Sequence, residues 1–545
     1  MSPRLSVGID FDNTIVCYDA VFLAAAKDME LISNERKFSK QEIREYLLSS
    51  PGGEEDWKRL QGQVYGHWMH RSSLMPGVAW FLYWCRARDI KISIVSHKTE
   101  FGHYDDSKVR LRQVAMRWMI DQGFFDLNGF GLKVNNIYFE STRGNKVKRI
   151  SELGLTCFID DLVEVFQESD FPSSVEKILF SRVASSTDTH QSVLEMSSWS
   201  NIGRHLLGPE TLDDLLHVAR TIVSDSEITK CVELKGGKNS QVYKLTRKKS
   251  APVVLKKYPI RSSDSRNRLR VEFDACTFLH QNDIRLVPEP KVIDKKANVG
   301  IYEYVSGSRI LEPNERDIEQ AVKFIFSLNT VKSLKGASEL PRASEACLCG
   351  WELFRQIETR IKALREISNT FPELENHIVS IIEPLYERIR NWSQMHWPHG
   401  IDFRKNLSLE YQTLSLSDFG FHNALKEADG TVRFLDLEYF GWDDPVKLVS
   451  DFWWHPGMQL TAPIKNVWLN KTIMVFGQEQ TFLNRLNALH PAYGVRWSLI
   501  VLNKFLDTSN NRDQIQLGTQ LNKSVNLCNI VSDWLRHNRS ITKSI

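Results

Sequence analysis

The sequence lacks any uninterrupted apolar run approaching the ~18 residues that a bilayer-spanning helix needs, so no membrane span is expected. It also lacks a dominant sign of charge: 70 Lys+Arg against 67 Asp+Glu give a formal +3 over 545 residues. That balance excludes an overtly basic nucleic-acid binder and an acidic solvating tail. The opening MSPRLSVGIDFDN reaches Asp10 and Asp12 too early for the apolar core of a secretory signal. Cysteine is sparse. The eight are scattered, and only Cys347 and Cys349 lie close together, with no second pair to complete a zinc site or a disulfide framework. These absences predict a reduced, cytoplasmic protein. What is present is a globular composition, 42% hydrophobic and 25% charged, with no repeat or low-complexity segment. The length suggests about two to four domains.

The first 200 residues alternate short apolar runs (5–9, 92–95, 137–139 and 157–159) with helical patterns at 109–120 and 147–153, and a weaker strand at 177–180 and the stretch 199–207 close the unit. Strands alternating with helices argue for a parallel sheet with right-handed crossovers. Such sheets carry their sites at the C-terminal strand edge. A polar loop is expected at 185–192, and Gly208-Pro209 marks the expected start of a new unit.

Chemistry-bearing residues collect at those strand ends. Asp10-Phe-Asp12-Asn-Thr14 follows the first run, and two carboxylates at i and i+2 can hold a hard cation such as Mg²⁺. With phosphate charge neutralised, Asp10 can attack phosphorus and Asp12 can protonate the leaving oxygen. Ser96 follows the second run, placed to hydrogen-bond a phosphate oxygen. Lys146 opens a helix whose apolar face carries Val147, Ile150 and Leu153, with Lys148 competing for the lysine role. Asp160 and Asp161 add two further carboxylates for the metal. As a set, Asp10/Asp12/Thr14, Ser96, Lys146 and Asp160/Asp161 resemble the four motifs of the haloacid dehalogenase-like phosphohydrolases. The resemblance implies a Rossmann-like parallel sheet over residues 1–207, a small helical cap within 16–80, and Mg²⁺-dependent transfer through an aspartyl-phosphate on Asp10.

From about 225 the texture changes. Antiparallel strands are expected at 233–240, 241–245 and 253–258, a helix at 266–280, and strands near 290–293 and 300–304. Residues 313–395 are mostly helical, with amphipathic stretches at 349–367 and 374–392. Short strands fill 413–445 before a helical tail.

The first hairpin holds Gly236, Gly237, Asn239 and Ser240, whose backbone and side-chain donors can approach phosphates. Thirteen residues past Tyr243, Lys256 could reach the α- and β-phosphates, with Glu272 on the next helix as its partner. Lys257 points to the opposite strand face and is the alternate to Lys256, with solvated surface as its plainer reading. Asp418 lies five residues before Asn423, and Asp436 thirteen residues after it. A base for an acceptor hydroxyl, an amide metal ligand and a carboxylate metal ligand make up a phosphoryl-transfer constellation. The kinase pattern has a His two residues before its Asp; here Leu416 and Ser417 precede Asp418. Asp451 is read as a brace for this loop and Asp443-Asp444-Pro445 as a helix-entry turn. His422 is read as pointing away from the acceptor, and His399 and His455 as structural.

Residues 225–540 resemble the aminoglycoside/choline phosphotransferase family. This implies an α+β, two-lobed, protein-kinase-like fold over 208–545, with an N-lobe at about 225–305 and a C-lobe at about 306–545. It further implies Mg²⁺ with ATP or GTP as donor, a hinge at Glu303-Tyr304-Val305, and a small-molecule hydroxyl acceptor. Three readings stay open. One is a bifunctional phosphatase and small-molecule kinase acting on a phosphorylated small metabolite and on a sugar, polyol or amino-alcohol. The others are a kinase with a ligand-sensing N-terminal domain and a silent nucleotide-binding scaffold.

Overall fold

The computed structural model describes residues 5–33, 38–102, 104, 107–182, 192–234, 240–260, 266–507 and 514–537. The chain forms two compact units: Met1–Ser265 with Val292–Ile301, and Arg266–Lys291 with Tyr302–Ile545.

In the first unit, β1 (Ser6–Ile9), β2 (Lys91–His97), β3 (Ile137–Glu140), β4 (Cys157–Asp160), β5 (Glu176–Phe180) and β6 (Val193–Met196) make one sheet. Its order is β3-β2-β1-β4-β5-β6, and its strand pairs are parallel. Chain progression reverses direction between β1 and β4, which opens a crevice at their C-terminal ends. β1 packs so closely on its surroundings that a Cβ at Gly8 would lie 2.4 Å from the Leu155 side chain and 2.5 Å from that of Phe158. The sequence analysis does not foresee β6, a four-residue edge strand none of whose residues is fully buried. The polar loop expected before it lies almost wholly outside the described residues.

A two-residue ladder, Val16–Cys17 against Ser73–Leu74, closes the base of a helical insertion. The insertion contains α1 (Asp19–Asp28), α2 (Lys40–Leu48) and α3 (Gly53–Tyr65). Phe22 of α1 stacks on Trp57 of α3 with ring centroids 5.2 Å apart. Next comes α4 (Val78–Ala87), a buried helix rich in aromatic residues.

A second sheet has the order β10-β11-β9-β8-β7, from β7 (Ile228–Glu233), β8 (Gln241–Arg247), β9 (Val253–Lys257), β10 (Pro290–Asp294) and β11 (Val299–Glu303). β7 ends at the residue where the sequence reading began its strand. It has only two buried residues, Ile228 and Cys231, and a register shift opposite Thr246/Arg247 breaks its alternation. Of the hairpin residues singled out for phosphate binding, Gly236, Gly237 and Asn239 lie outside the described residues.

The second unit is mainly helical around one large core. The stretch read as a single helix over 374–392 is Pro372–His377, a π-turn at Ile378–Ile382, and Glu383–His396. Pro384 lacks an N–H, and the ladder before it opens into the wider turn. The short strands β12 (Thr413–Ser415), β13 (Ala424–Lys426), β14 (Val432–Phe434) and β15 (Gly441–Asp443) carry the loops between 415 and 441.

Candidate functional sites

The first site sits where β1, β2 and β4 end. The Asp10 backbone N–H donates to the Ile159 carbonyl at 2.9 Å, so both carboxylate-bearing loops leave the sheet side by side. Thr142 caps the helix α5 (Arg143–Glu152), which buries Val147 and Ile150 and delivers Lys146 to the same edge. The Lys146 ammonium donates to Asp10 at 2.5 Å and to Asp160 at 2.6 Å, with all three side chains buried. Lys148, the competing lysine, is 77% exposed and faces Glu152. Ser96 is buried at the end of β2.

Asp10, Asp160 and Asp161 each offer a carboxylate oxygen within 4.8 Å of the others. An all-oxygen, carboxylate-rich donor set of this size fits a hard cation such as Mg²⁺. Burial pushes Asp10 up to about 7; Lys146 opposes the rise, and the Asp160 and Asp12 carboxylates add to it. Burial likewise pushes Asp161 up to about 8, helped by Asp10 and Asp160, and its carboxylate accepts from Thr14 at 3.1 Å.

Three residues here escaped sequence reasoning. Lys98, with its side chain 2% exposed, donates to both oxygens of Asp12 at 2.9 and 2.7 Å, and the Tyr18 hydroxyl donates to the same carboxylate at 2.6 Å. Lys40 of α2 donates to Asn13 at 2.6 Å. Lys98 had a signal: it lies two residues past Ser96, on the same side of an extended strand end. Tyr18 and Lys40 had none, because packing of the insertion brings them in.

The second site, in the other unit, is built on β13 and β14. Ala424 pairs with Phe434, and the Asn423 carbonyl accepts from Leu435 N–H at 2.8 Å, which puts Asn423 and Asp436 at one end of the hairpin. The Asn423 amide NH₂ donates to the Asp418 carbonyl at 3.1 Å and to its carboxylate at 3.2 Å, so the amide oxygen is the atom left to ligate a cation.

His422 and His455 meet at Asp418, a contact that the sequence reading did not foresee for either. The two imidazoles stack at 3.7 Å, nearly parallel, with Nε2 atoms 3.1 and 3.6 Å from one Asp418 oxygen. Gly457 N–H donates to His455 Nδ1 at 3.1 Å, so the His455 proton sits on Nε2, facing Asp418. The trio is therefore a hydrogen-bonded carboxylate rather than a cation site. Burial alone would raise Asp418; the two imidazoles and Asn423 outweigh it and hold the carboxyl down at about 2. His399 is exposed.

Ser417, the residue before Asp418, anchors this loop. Its hydroxyl donates to the Ser344 carbonyl at 2.7 Å and accepts from Lys447 at 2.9 Å. Lys447 is buried between Asp443 and Asp451 at 3.0 and 3.1 Å. Asp451 thus reaches the loop through Lys447. Asp444 caps the helix Pro445–Trp454 as its sequence suggests.

Glu272, Asp436 and Glu438 form a second carboxylate cluster with ligand atoms within 4.8 Å. Arg268 pairs with Glu438 at 2.5 Å. The oxygen-only set again fits Mg²⁺. Glu438 was overlooked, although its place two residues after Asp436 was a signal. Glu303 accepts from Arg433 at 2.7 Å and Val305 is buried, both where the chain enters this unit.

In the first unit, Lys256 and Ser240 are both buried. Lys257 is not the solvated residue expected: its ammonium lies 3.1 Å from both Glu210 oxygens and 3.6 Å from the centre of a Trp80 ring.

No family model matches the sequence, and no curated protein matches it. Among solved structures the chain is similar to a spectinomycin phosphotransferase in complex with ADP and spectinomycin, at 12% identity and TM-score 0.44, over 59% of this chain and 99% of that one. It is similar to an ethanolamine kinase from Plasmodium vivax at 12% identity and TM-score 0.41, over 58% and 90%. It is similar to a choline kinase from Streptococcus pneumoniae at 14% identity and TM-score 0.38, over 57% and 97%.

Proposed function

We propose that the chain is a Mg²⁺- and ATP-dependent kinase of a small-molecule hydroxyl, with a protein-kinase-like fold of the aminoglycoside/choline phosphotransferase type. The observation that carries this reading is the convergence of Asp418, Asn423 and Asp436 at one end of the β13–β14 hairpin. Asp418, kept anionic by its imidazole neighbours, accepts the acceptor hydroxyl's hydrogen bond and takes its proton as the oxygen bonds to the γ-phosphorus and the bond to ADP breaks. Asn423, Glu272 and Asp436 would hold the cation, which supplies charge neutralisation on the phosphates. The kinase resemblance would give Lys256 and Ser240 a part in binding phosphates, and the backbone of Glu303–Val305 a part in binding the base.

We further propose that the same polypeptide hydrolyses a phosphorylated small metabolite at Asp10, with a haloacid dehalogenase-like arrangement. Asp10 attacks phosphorus while Lys146 orients it and Ser96 donates to a phosphoryl oxygen. Asp12 protonates the departing oxygen, and water then releases phosphate from Asp10. Asp10, Asp160 and Asp161 would hold the Mg²⁺. The Lys98 and Tyr18 grip on Asp12 favours a second reading, in which this domain binds a phosphorylated ligand and senses it without turnover.

The test incubates the Asp10→Asn protein with Mg-ATP and a pool of sugars, polyols and amino-alcohols, with mass spectrometry for gain of one phosphoryl group. Products that wild-type protein removes again support both activities. Products that persist with wild type support the sensing reading. ATP bound without any product supports a scaffold.

A further inference from the structure

The kinase reading leaves the N-terminal α/β domain without a role in nucleotide binding, yet the first unit contains both sheets. Buried residues of both sheets share one hydrophobic cluster, which runs from Val7 and Ile9 of β1 to Leu245 of β8, Leu255 of β9 and Ile301 of β11. One face of α4 makes the polar contacts. Trp80 donates its indole N–H to Glu210, and Tyr83 donates to Asp294 at the end of β10 at 2.9 Å. Just past the helix, Arg88 pairs with Asp214 at 2.6 Å. Trp80 and Tyr83 lie three residues apart on α4, so one face of that helix meets the second sheet at Lys257 and Asp294.

The contact at Trp80 bears on chemistry. Adjacent strand residues point to opposite faces, so Lys256 and Lys257 share a backbone but not a surface. Trp80, Glu210 and Lys257 close a triangle: indole N–H to carboxylate, carboxylate to ammonium at 3.1 Å, ammonium over the indole ring at 3.6 Å. All three side chains are largely withdrawn from solvent. A cation–π contact with a shared carboxylate fixes Lys257 in three directions and so fixes the β9 backbone from which Lys256 projects.

We infer that Trp80, a residue of the N-terminal α/β domain, is a positioning residue for the nucleotide site: by clamping Lys257 with Glu210 it sets the strand that presents Lys256 to the phosphates of ATP. The inference rests on the kinase reading. The α/β domain is then a working part of the kinase, whatever its own site does. Trp80 touches neither nucleotide nor acceptor, so its loss acts on nucleotide affinity and leaves the transfer step at saturating ATP intact.

The test uses the full chain and measures Mg-ATP affinity by calorimetry, the KM and kcat of transfer, and hydrogen exchange of the β9 amides. Trp80→Ala is expected to weaken Mg-ATP binding about tenfold and speed β9 exchange, with kcat within threefold of wild type. Trp80→Phe, which keeps an aromatic face for Lys257, restores affinity to within threefold. Trp84→Phe, on the same helix but packed toward Gly203, is the control for general loosening and binds Mg-ATP as wild type does. Should Trp80→Ala fail to fold, Lys257→Met carries the test with the same expectation. A folded Trp80→Ala or Lys257→Met protein with unchanged Mg-ATP affinity overturns the inference, as does an equal loss in Trp84→Phe. Failure of the kinase reading shows separately, as wild-type protein that binds no Mg-ATP or transfers equally well after Asp418→Asn.

Discussion

Lys98 and Asp12 form a near-symmetrical pair: one ammonium meets both carboxylate oxygens, at 2.9 and 2.7 Å, with the lysine almost wholly buried. Removing one member of such a pair strands the other. Lys98→Met is expected to destabilise the protein by about 3 kcal/mol, and Lys98→Met/Asp12→Asn by clearly less. Urea unfolding of the two single variants and the double variant checks the coupling. A double-variant loss equal to the sum of the two single-variant losses would show that the pair is not coupled.

The two candidate lysines of α5 separate cleanly. Lys146→Met is expected to lower phosphate release from the productive substrate by at least about a hundredfold, because it removes the ammonium shared by Asp10 and Asp160. Lys148→Met, whose side chain faces solvent, stays within twofold. Phosphate-release rates on the purified variants decide between them, and a reversed order would move the lysine role to Lys148.

Asp10, Ser96, Asp160 and Asp161 were legible because each sits at the end of an apolar run, and a parallel sheet gathers those ends at one edge; Lys146 was legible because it opens the amphipathic helix between two such runs. Asp418, Asn423 and Asp436 were legible from spacing along one strand–turn–strand stretch. Groups that arrive by tertiary packing were not. His455 comes to Asp418 from the end of a helix 37 positions away, and Tyr18 and Lys40 are brought in by the helical insertion. Lys257 looked like surface because only its own strand was in view; Glu210 and Trp80 come from 47 and 177 residues upstream. The β7 boundary was missed because a strand with two buried residues and a bulge carries almost no periodic signal.

Acid sensitivity has an identifiable source in the second unit. His377 is buried against the Ser524 hydroxyl at 2.8 Å, and burial lowers its pKa to about 4. The unfolded chain protonates near 6.5, so this group's contribution is fully present above pH 6.5 and is lost as pH falls toward 4. At pH 4.5 the loss is about 2.5 kcal/mol. His490, lowered by burial to about 3, acts in the same direction. Denaturation midpoints between pH 7 and 4.5 are expected to fall less steeply in His377→Gln than in wild type; parallel curves would contradict the assignment.

The most direct test of the central claim places Asp418→Asn in the Asp10→Asn background and quantifies phosphorylated product from Mg-ATP and the responsive acceptor. Product formation is predicted to fall by about a hundredfold or more, with Mg-ATP affinity within threefold, because Asp418 handles the acceptor's proton and not the nucleotide. Undiminished product in that variant would contradict the kinase assignment.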